Sequence, residues 1–517
     1  LTGQATQGKL GPDGRYTING LTPGEQYVVY IEQIYTGGYS PSPSRLVSVA
    51  EYWNVGEDSN HAADDPCDAT PILAEAGVAK TADFIFNGYL KGIDYTPIGP
   101  FFLTDLAKNG ASSLGSAGTT PFIWDEKKGI SVIPDATITG GAMNRNGTVV
   151  AIESDHDGNG IGGSGLWTEA HGFRPFGFLG ETECGGSGSA GVNSSSAWAM
   201  SDDASVVVGI GYWDRDGDGF CQRQRLNPPE INGYVWTKKD GMQTLPIDGY
   251  SRTPAFIRAH GISGNGRVIL GTDGNRYALA WIDGQFVDLS SMYPGARDVY
   301  AASYDGTRVA IGTSSEVVLW NPTIEGDDAF SPIGGLTWCV DLDYTDFFGR
   351  NYCELFGPEW VQQRFGPIPV LPTDMTDDGK IIIGRAGSFF TGFVGAIWME
   401  PVGWMNLRDF YLKQGVAEAQ DLPMDNPISI SASGSEIVGG LAGATYTWLV
   451  NMDQVFVCWN GNSVQTGFPN GLFDMLEKGA TFGRCEHLSP EEPIAPSEDV
   501  LAPQADANFN VNLGSSF

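Results

Sequence analysis

Positive charge is what this sequence lacks most. Lys and Arg number 29 against 62 Asp and Glu in 517 residues, a formal charge of −33, and charged residues of both signs make up only 18%. Phosphate recognition needs a basic face, so the balance argues against DNA, RNA or an anionic membrane as the main partner. No apolar run approaches the length of a transmembrane helix. The chain opens at Leu1 without Met and without a signal-peptide pattern, and reads as a processed product or a piece of something longer. No Cys-x-x-Cys pair occurs, which disfavours zinc ribbons, c-type haem attachment and thioredoxin chemistry. There is no His-Glu-x-x-His, no Gly-x-Ser-x-Gly elbow and no Lys-bearing phosphate loop. No two of the five histidines are spaced as a zinc pair, and His260 reads as a packed or hydrogen-bonded core residue.

Glycine is abundant, at 71 residues, and hydrophobics (41%) and aromatics (11%) suffice for a packed core. The cysteines suggest three pairs, Cys184–Cys221, Cys339–Cys353 and Cys458–Cys485, with Cys67 left over; buried free thiols are the alternative. Acidity, glycine richness and scarce lysine fit an extracellular or periplasmic protein.

A repeat organises the chain. Each copy holds a small residue, Ser, Thr or Asn, a turn that is usually Asp-Gly or Asn-Gly, a β-branched run and Gly; an apolar residue with Trp then follows. Seven copies carry Trp124, Trp167, Trp236, Trp281, Trp320, Trp398 and Trp448. Asp-Gly and Asn-Gly supply the positive φ of a two-residue hairpin turn. Runs such as Val206–Val208 and Ile381–Ile383 are apolar on both faces, as in a strand covered on both sides. The base period of about 40–45 residues matches a four-stranded propeller blade, with insertions in the third and sixth units. The fold class predicted is all-β, a seven-bladed β-propeller preceded by a partial β-sandwich; a sandwich array or open solenoid is the alternative. The strand 454–460 is expected to complete the first blade.

At Trp198-AMSDDASVVVG-Ile210 and Gly233-YVWTKKDGMQTL-Pro246 the chain resembles the bacterial extracellular repeats named after a His-Ala-Phe motif. The resemblance covers residues 90–460 and implies secretion and a β-propeller-like scaffold, with no chemistry of its own. Upstream, Pro12-DGRYTINGLTPGEQYVVYIEQI-Tyr35 resembles the end of a carboxypeptidase-regulatory-like or B-type collagen-adhesin-like sandwich. It implies strands preceding Leu1. The predicted organisation is a partial sandwich at 1–50, an acidic linker at 51–89, the propeller at 90–465 and a C-terminal extension at 466–517.

Two acidic loops follow the spacing of calcium loops: Asp155, Asp157 and Asn159 before Gly160, and Asp214, Asp216 and Asp218 before Gly219. Neither has Glu at position 12, so neither is an EF-hand; the remaining ligands would come from backbone, water or a distant acid such as Glu153 or Asp202. An ordinary Asx-rich turn is the alternative. Bound Ca²⁺ would brace an insertion. Trp338, Tyr344, Phe347, Phe348, Tyr352 and Trp360 form an aromatic insertion, read as a partner-docking surface or lid, or as a self-packed loop. Asn508–Leu513 alternates like a strand and either docks on a neighbour or frays.

Together these point to a secreted, calcium-braced, non-catalytic binding or structural module of the cell surface or matrix, with protein or glycan partners. The alternatives are a self-assembling filament or layer subunit, and a polysaccharide-acting hydrolase or lyase. The enzyme would need convergent, perturbed carboxylates on the propeller axis.

Overall fold

The computed structural model describes residues 17–31, 46–47, 51–55, 69–82, 89–90 and 93–485; within the last span the longest omitted stretches are 215–220, 222–229, 338–352, 415–423 and 441–446. The chain is all-β, and its main part holds seven four-stranded antiparallel sheets, one per sequence repeat. Their leading strands are, in order, Phe102–Leu106, Thr137–Met143, Ser195–Met200, Ile257–Ile262, Asp298–Ala302, Val370–Met375 and Pro427–Ile430. Each leads by a tight turn into the second strand, which is the β-branched run of the repeat in six sheets and Ser112–Ala117, without a β-branched residue, in the first.

The turn explains the repeat's small polar residue. Ser263 Oγ accepts the Val268 amide hydrogen at 3.0 Å, and Ser201, Ser303, Thr376 and Ser431 do the same in their own sheets. The hydroxyl thereby ties the turn's first residue to the start of the next strand. The glycine after it has φ between 65° and 88° in six copies. In the third copy Ala204 takes this place, at φ 58°.

Each repeat tryptophan lies on the third strand of its sheet, and five of them fill the gap to the preceding sheet. Trp281 shares a core with Val208 of the third sheet, Trp320 with Val268 of the fourth, Trp398 with Ala310 of the fifth and Trp448 with Ile381 of the sixth. Trp124 of the first sheet shares its core with Val438 and Leu449 of the seventh. Trp281 and Trp448 are fully buried. A Trp→Ala change at such a site costs about 3–5 kcal/mol. Gly439 shows the fit: a Cβ there would strike the Trp448 ring and the Asn426 carbonyl.

The leading strand of every sheet packs against that of the next, and the seventh packs against the first. Backbone hydrogen bonds of 2.7–3.1 Å follow the same order through the turns: Asn109 to Arg145, Arg145 to Asp202, Asp202 to Gly264, Asn265 to Tyr304, Tyr304 to Asp377, Asp377 to Ala432, and Ala432 to Lys108. The series ends on the turn where it began.

The fourth strand of the seventh sheet is Ile93–Gly99, paired with Thr447–Met452. The expected closing strand does something else. Gln454–Trp459 pairs with Asn462–Gly467 and Thr481–Phe482 in a separate three-stranded sheet. Only Asp453 separates it from Thr447–Met452, too short a link to reverse into a hairpin. This sheet, with the helix Asn470–Glu477, joins a core built on the sixth and seventh sheets. Upstream, residues 51–89 supply strands to the N-terminal part. Gln26–Tyr27 pairs with Ile72–Leu73, Tyr30–Ile31 with Glu51–Tyr52, and Leu46–Val47 with Tyr89–Leu90. Among the described residues no helix is long and apolar enough to cross a membrane.

Candidate functional site

The site grows out of a repeated irregularity. In six leading strands one extra residue breaks the register with the second strand: Thr104, Trp198, His260, Tyr300, Thr373 and Ile428. The second sheet has a longer irregularity between Thr137 and Ala142. A β-bulge re-aims the side chain it adds. All six extra residues line one cavity of about 140 Å³, to which all seven leading strands contribute.

The position after the bulge is small in five sheets, namely Ala142, Ala199, Gly261, Ala301 and Ser429, and acidic in two, Asp105 and Asp374. Both acids belong to the cavity wall, one on each side of the seventh sheet. Asp374 is fully engaged. Lys108 Nζ donates to its Oδ1 (2.9 Å) and Oδ2 (2.8 Å), the Met375 amide donates to Oδ1, and the Ile430 amide donates to Oδ2. Lys108 spends its remaining capacity on the Met375 and Ile430 carbonyls. Burial works against the Lys108 charge, but the Asp374 carboxylate, with Asp105 and Asp202 adding to it, raises the Lys108 pKa.

Asp105 is held differently. Its oxygens accept the Met143 amide at 2.7 Å and the Leu106 amide at 2.8 Å. Burial pushes its carboxyl from the usual 3.8 up to about 6; the Met143 hydrogen bond and Lys108 oppose this, and Asp374 adds to it. Ser429 Oγ lies 2.8 Å from Asp374 Oδ2 and 3.1 Å from Asp105 Oδ1. One hydroxyl hydrogen serves one acceptor at a time, so the two carboxyl groups compete for the Ser429 donor.

The opposite wall is aromatic. The His260 ring stacks on Tyr300 with centroids 4.0 Å apart, and Trp198 lies on the neighbouring sheet. His260 Nε2 meets Thr272 Oγ1 at 3.2 Å, as a hydrogen-bonded core histidine would, while its Nδ1 is buried with no partner among the described residues. Burial, helped by Arg258, brings its pKa down to about 3, so the ring is neutral. The turns add Asp202 to the lining. Arg145 bridges Asp202 at 2.5 Å and Asp377 at 2.6 Å, and these hydrogen bonds raise its pKa.

The residues singled out in the sequence lie elsewhere. Asp155, Asp157 and Asn159 sit on an exposed loop. Their oxygens accept amide hydrogens of the loop itself, Gly160 to Asp155, Asn159 to Asp157 and Ile161 to Asn159, and the Asn159 amide also donates to Glu183. Glu153 is buried and accepts the Ala197 amide, and Asp202 is held by Arg145. Among the described residues no group of three His, Cys, Asp or Glu side chains is gathered as for a metal. Asp214 is described; Asp216 and Asp218 lie outside the described residues. So do Trp338, Tyr344, Phe347, Phe348, Tyr352, Cys339, Cys67 and the 508–513 segment, whereas Trp360 is exposed on the helix Pro358–Phe365. The disulfides Cys184–Cys221 and Cys458–Cys485 are formed, and Cys353 is disulfide-bonded. Sequence reading did not single out Asp105, Lys108, Trp198, Tyr300 or Asp374 as site residues. The available signal was a common offset: each bulge residue stands three places before its turn's small residue. Comparison with protein-family models and with curated proteins finds no match to this chain.

Proposed function

We propose that the protein is a secreted seven-bladed β-propeller that works as a non-catalytic binding module, with its ligand held in the axial cavity. The observation that carries this reading is the convergence of six bulge residues from six sheets on one cavity. A bulge sacrifices ladder hydrogen bonds, and its repetition toward one point is what a shaped site needs. The turn-to-turn hydrogen bonds, returning from Ala432 to Lys108, support a closed ring without open edges. The two disulfides support secretion.

The geometry favours binding over catalysis. A glycoside-cleaving pair needs two carboxyl groups facing the substrate. Here Asp374 is occupied by Lys108 and two amides, which leaves Asp105 alone. Calcium retains a place as a brace for the 155–159 and 214–218 loops, supported by their spacing. The resemblance to His-Ala-Phe repeats fits the same extracellular setting. Trp198 is a built-in reporter: titration with small amines, sugars and peptides, read by tryptophan fluorescence, should give a saturable change that Tyr300→Ala weakens. Absence of saturation with every class would remove the cavity from the function.

A further inference from the structure

Resting on the reading of the axial cavity as a ligand site, we infer that its ligand is a small organic cation, a primary or quaternary ammonium group that pairs with Asp105 and lies against Trp198 and Tyr300. The charge pattern decides the class. Lys108 is the nearest cation, and its hydrogen-bond capacity goes to Asp374 and two carbonyls. Arg145 is likewise taken, by Asp202 and Asp377. Ionised Asp105 therefore has two amide donors and the Ser429 hydroxyl, but among the described residues no hydrogen-bonded cation of its own. A carboxylate so placed is costly, and its carboxyl holds its proton to about pH 6.

An ammonium ligand supplies the missing charge; a neutral sugar stacks on the aromatic wall and leaves Asp105 uncompensated. The opposite wall suits a cation. Indole and phenol faces attract ammonium groups, and Arg258 already lies 5.6 Å from the Trp198 ring centroid. His260, in the same lining, stays neutral above about pH 3 and adds no positive charge to that of Arg258. The formal charge of −33 raises the local cation concentration.

The test is calorimetric titration of the full chain with choline, n-butylammonium, the uncharged carbon isostere of choline, and methyl glucoside. At pH 8 the two cations should bind saturably and the isostere should not. Between pH 8 and pH 5 the affinity should fall about tenfold, because only about a tenth of Asp105 is ionised at the lower pH. Asp105→Asn should abolish binding and Trp198→Leu should weaken it, with circular dichroism confirming the fold; if either variant fails to fold, the pH series on the unaltered chain decides. Equal binding of the isostere, affinity independent of pH, or methyl glucoside binding without cation binding would overturn the cation inference while leaving the cavity a ligand site. No binding of any probe up to about 10 mM, well above a millimolar Kd, would overturn both.

Discussion

The Ala432 amide donates to the Lys108 carbonyl at 2.7 Å, joining the turn of the seventh sheet to the turn of the first. The same two sheets share a core, through Trp124, Val438 and Leu449. Six equivalent hydrogen bonds link the other turns, so this contact makes the last unit the neighbour of the first. It also sets Lys108 beside the Ile430 carbonyl and Asp374, and so builds one wall of the cavity.

The seventh sheet also depends on a strand far upstream. Ile93–Gly99 covers the edge of Thr447–Met452. Removing residues 1–90 should leave the seven sheets intact. Removing residues 1–99 should expose that edge, lower the thermal midpoint and promote association through it. Size-exclusion chromatography and thermal unfolding of the two truncations make the comparison; equal behaviour would show that the strand does not seal the sheet.

Ala204 holds a left-handed conformation that six other copies give to glycine. An L-residue pays about 1–2 kcal/mol there, partly offset by the greater chain entropy of unfolded glycine. Ala204→Gly should therefore stabilise the protein by about 1 kcal/mol in denaturant unfolding, despite removing a methyl group. A loss of stability would show that the Ala204 side chain contributes more by packing than its backbone costs.

Asp105 and His260 should impose opposite pH dependences. The folded pKa of Asp105 lies above its usual value, so its contribution is present below about pH 4 and is lost as pH rises through about 6. Relative to Asp105→Asn, the unaltered chain should lose on the order of 2 kcal/mol between pH 4 and pH 7. The folded pKa of His260 lies below its usual 6.5, so its contribution is present above pH 6.5 and is lost as pH falls toward 3. Against His260→Gln, the unaltered chain should weaken on acidification. Stability differences that stay flat across these windows would contradict the burial assigned to the two groups.

Chelation tests the calcium brace. Addition of EGTA should lower the thermal midpoint, and calcium should restore it. Asp155→Asn should reduce the drop. An unchanged midpoint would leave the 155–160 loop as the self-bonded turn that its Asp155, Asp157 and Asn159 hydrogen bonds already describe.

The seven units were legible in the sequence because their signals are local. A turn glycine, a β-branched run and a tryptophan fall within one period, and each does in the structure what its chemistry suggests. The closing strand was not legible. It is distant from Thr447–Met452 in the chain, and it carries Pro97, which an edge strand tolerates but a pattern search discounts. The cavity was hidden for another reason. Its bulge positions hold Thr, Trp, His, Tyr, Thr and Ile, so no residue type marks them. Asp105 and Asp374 are two acids among 62, and only the packing of the first, sixth and seventh sheets sets them around Ser429.

Hydrogen exchange at the Ala432 amide bears most directly on whether the seven sheets close on themselves. Closure predicts that this amide is protected as strongly as those of Arg145, Asp202, Tyr304 and Asp377, its counterparts in the series. Exchange at the rate of an exposed turn, with those counterparts still protected, would place an opening between the seventh sheet and the first.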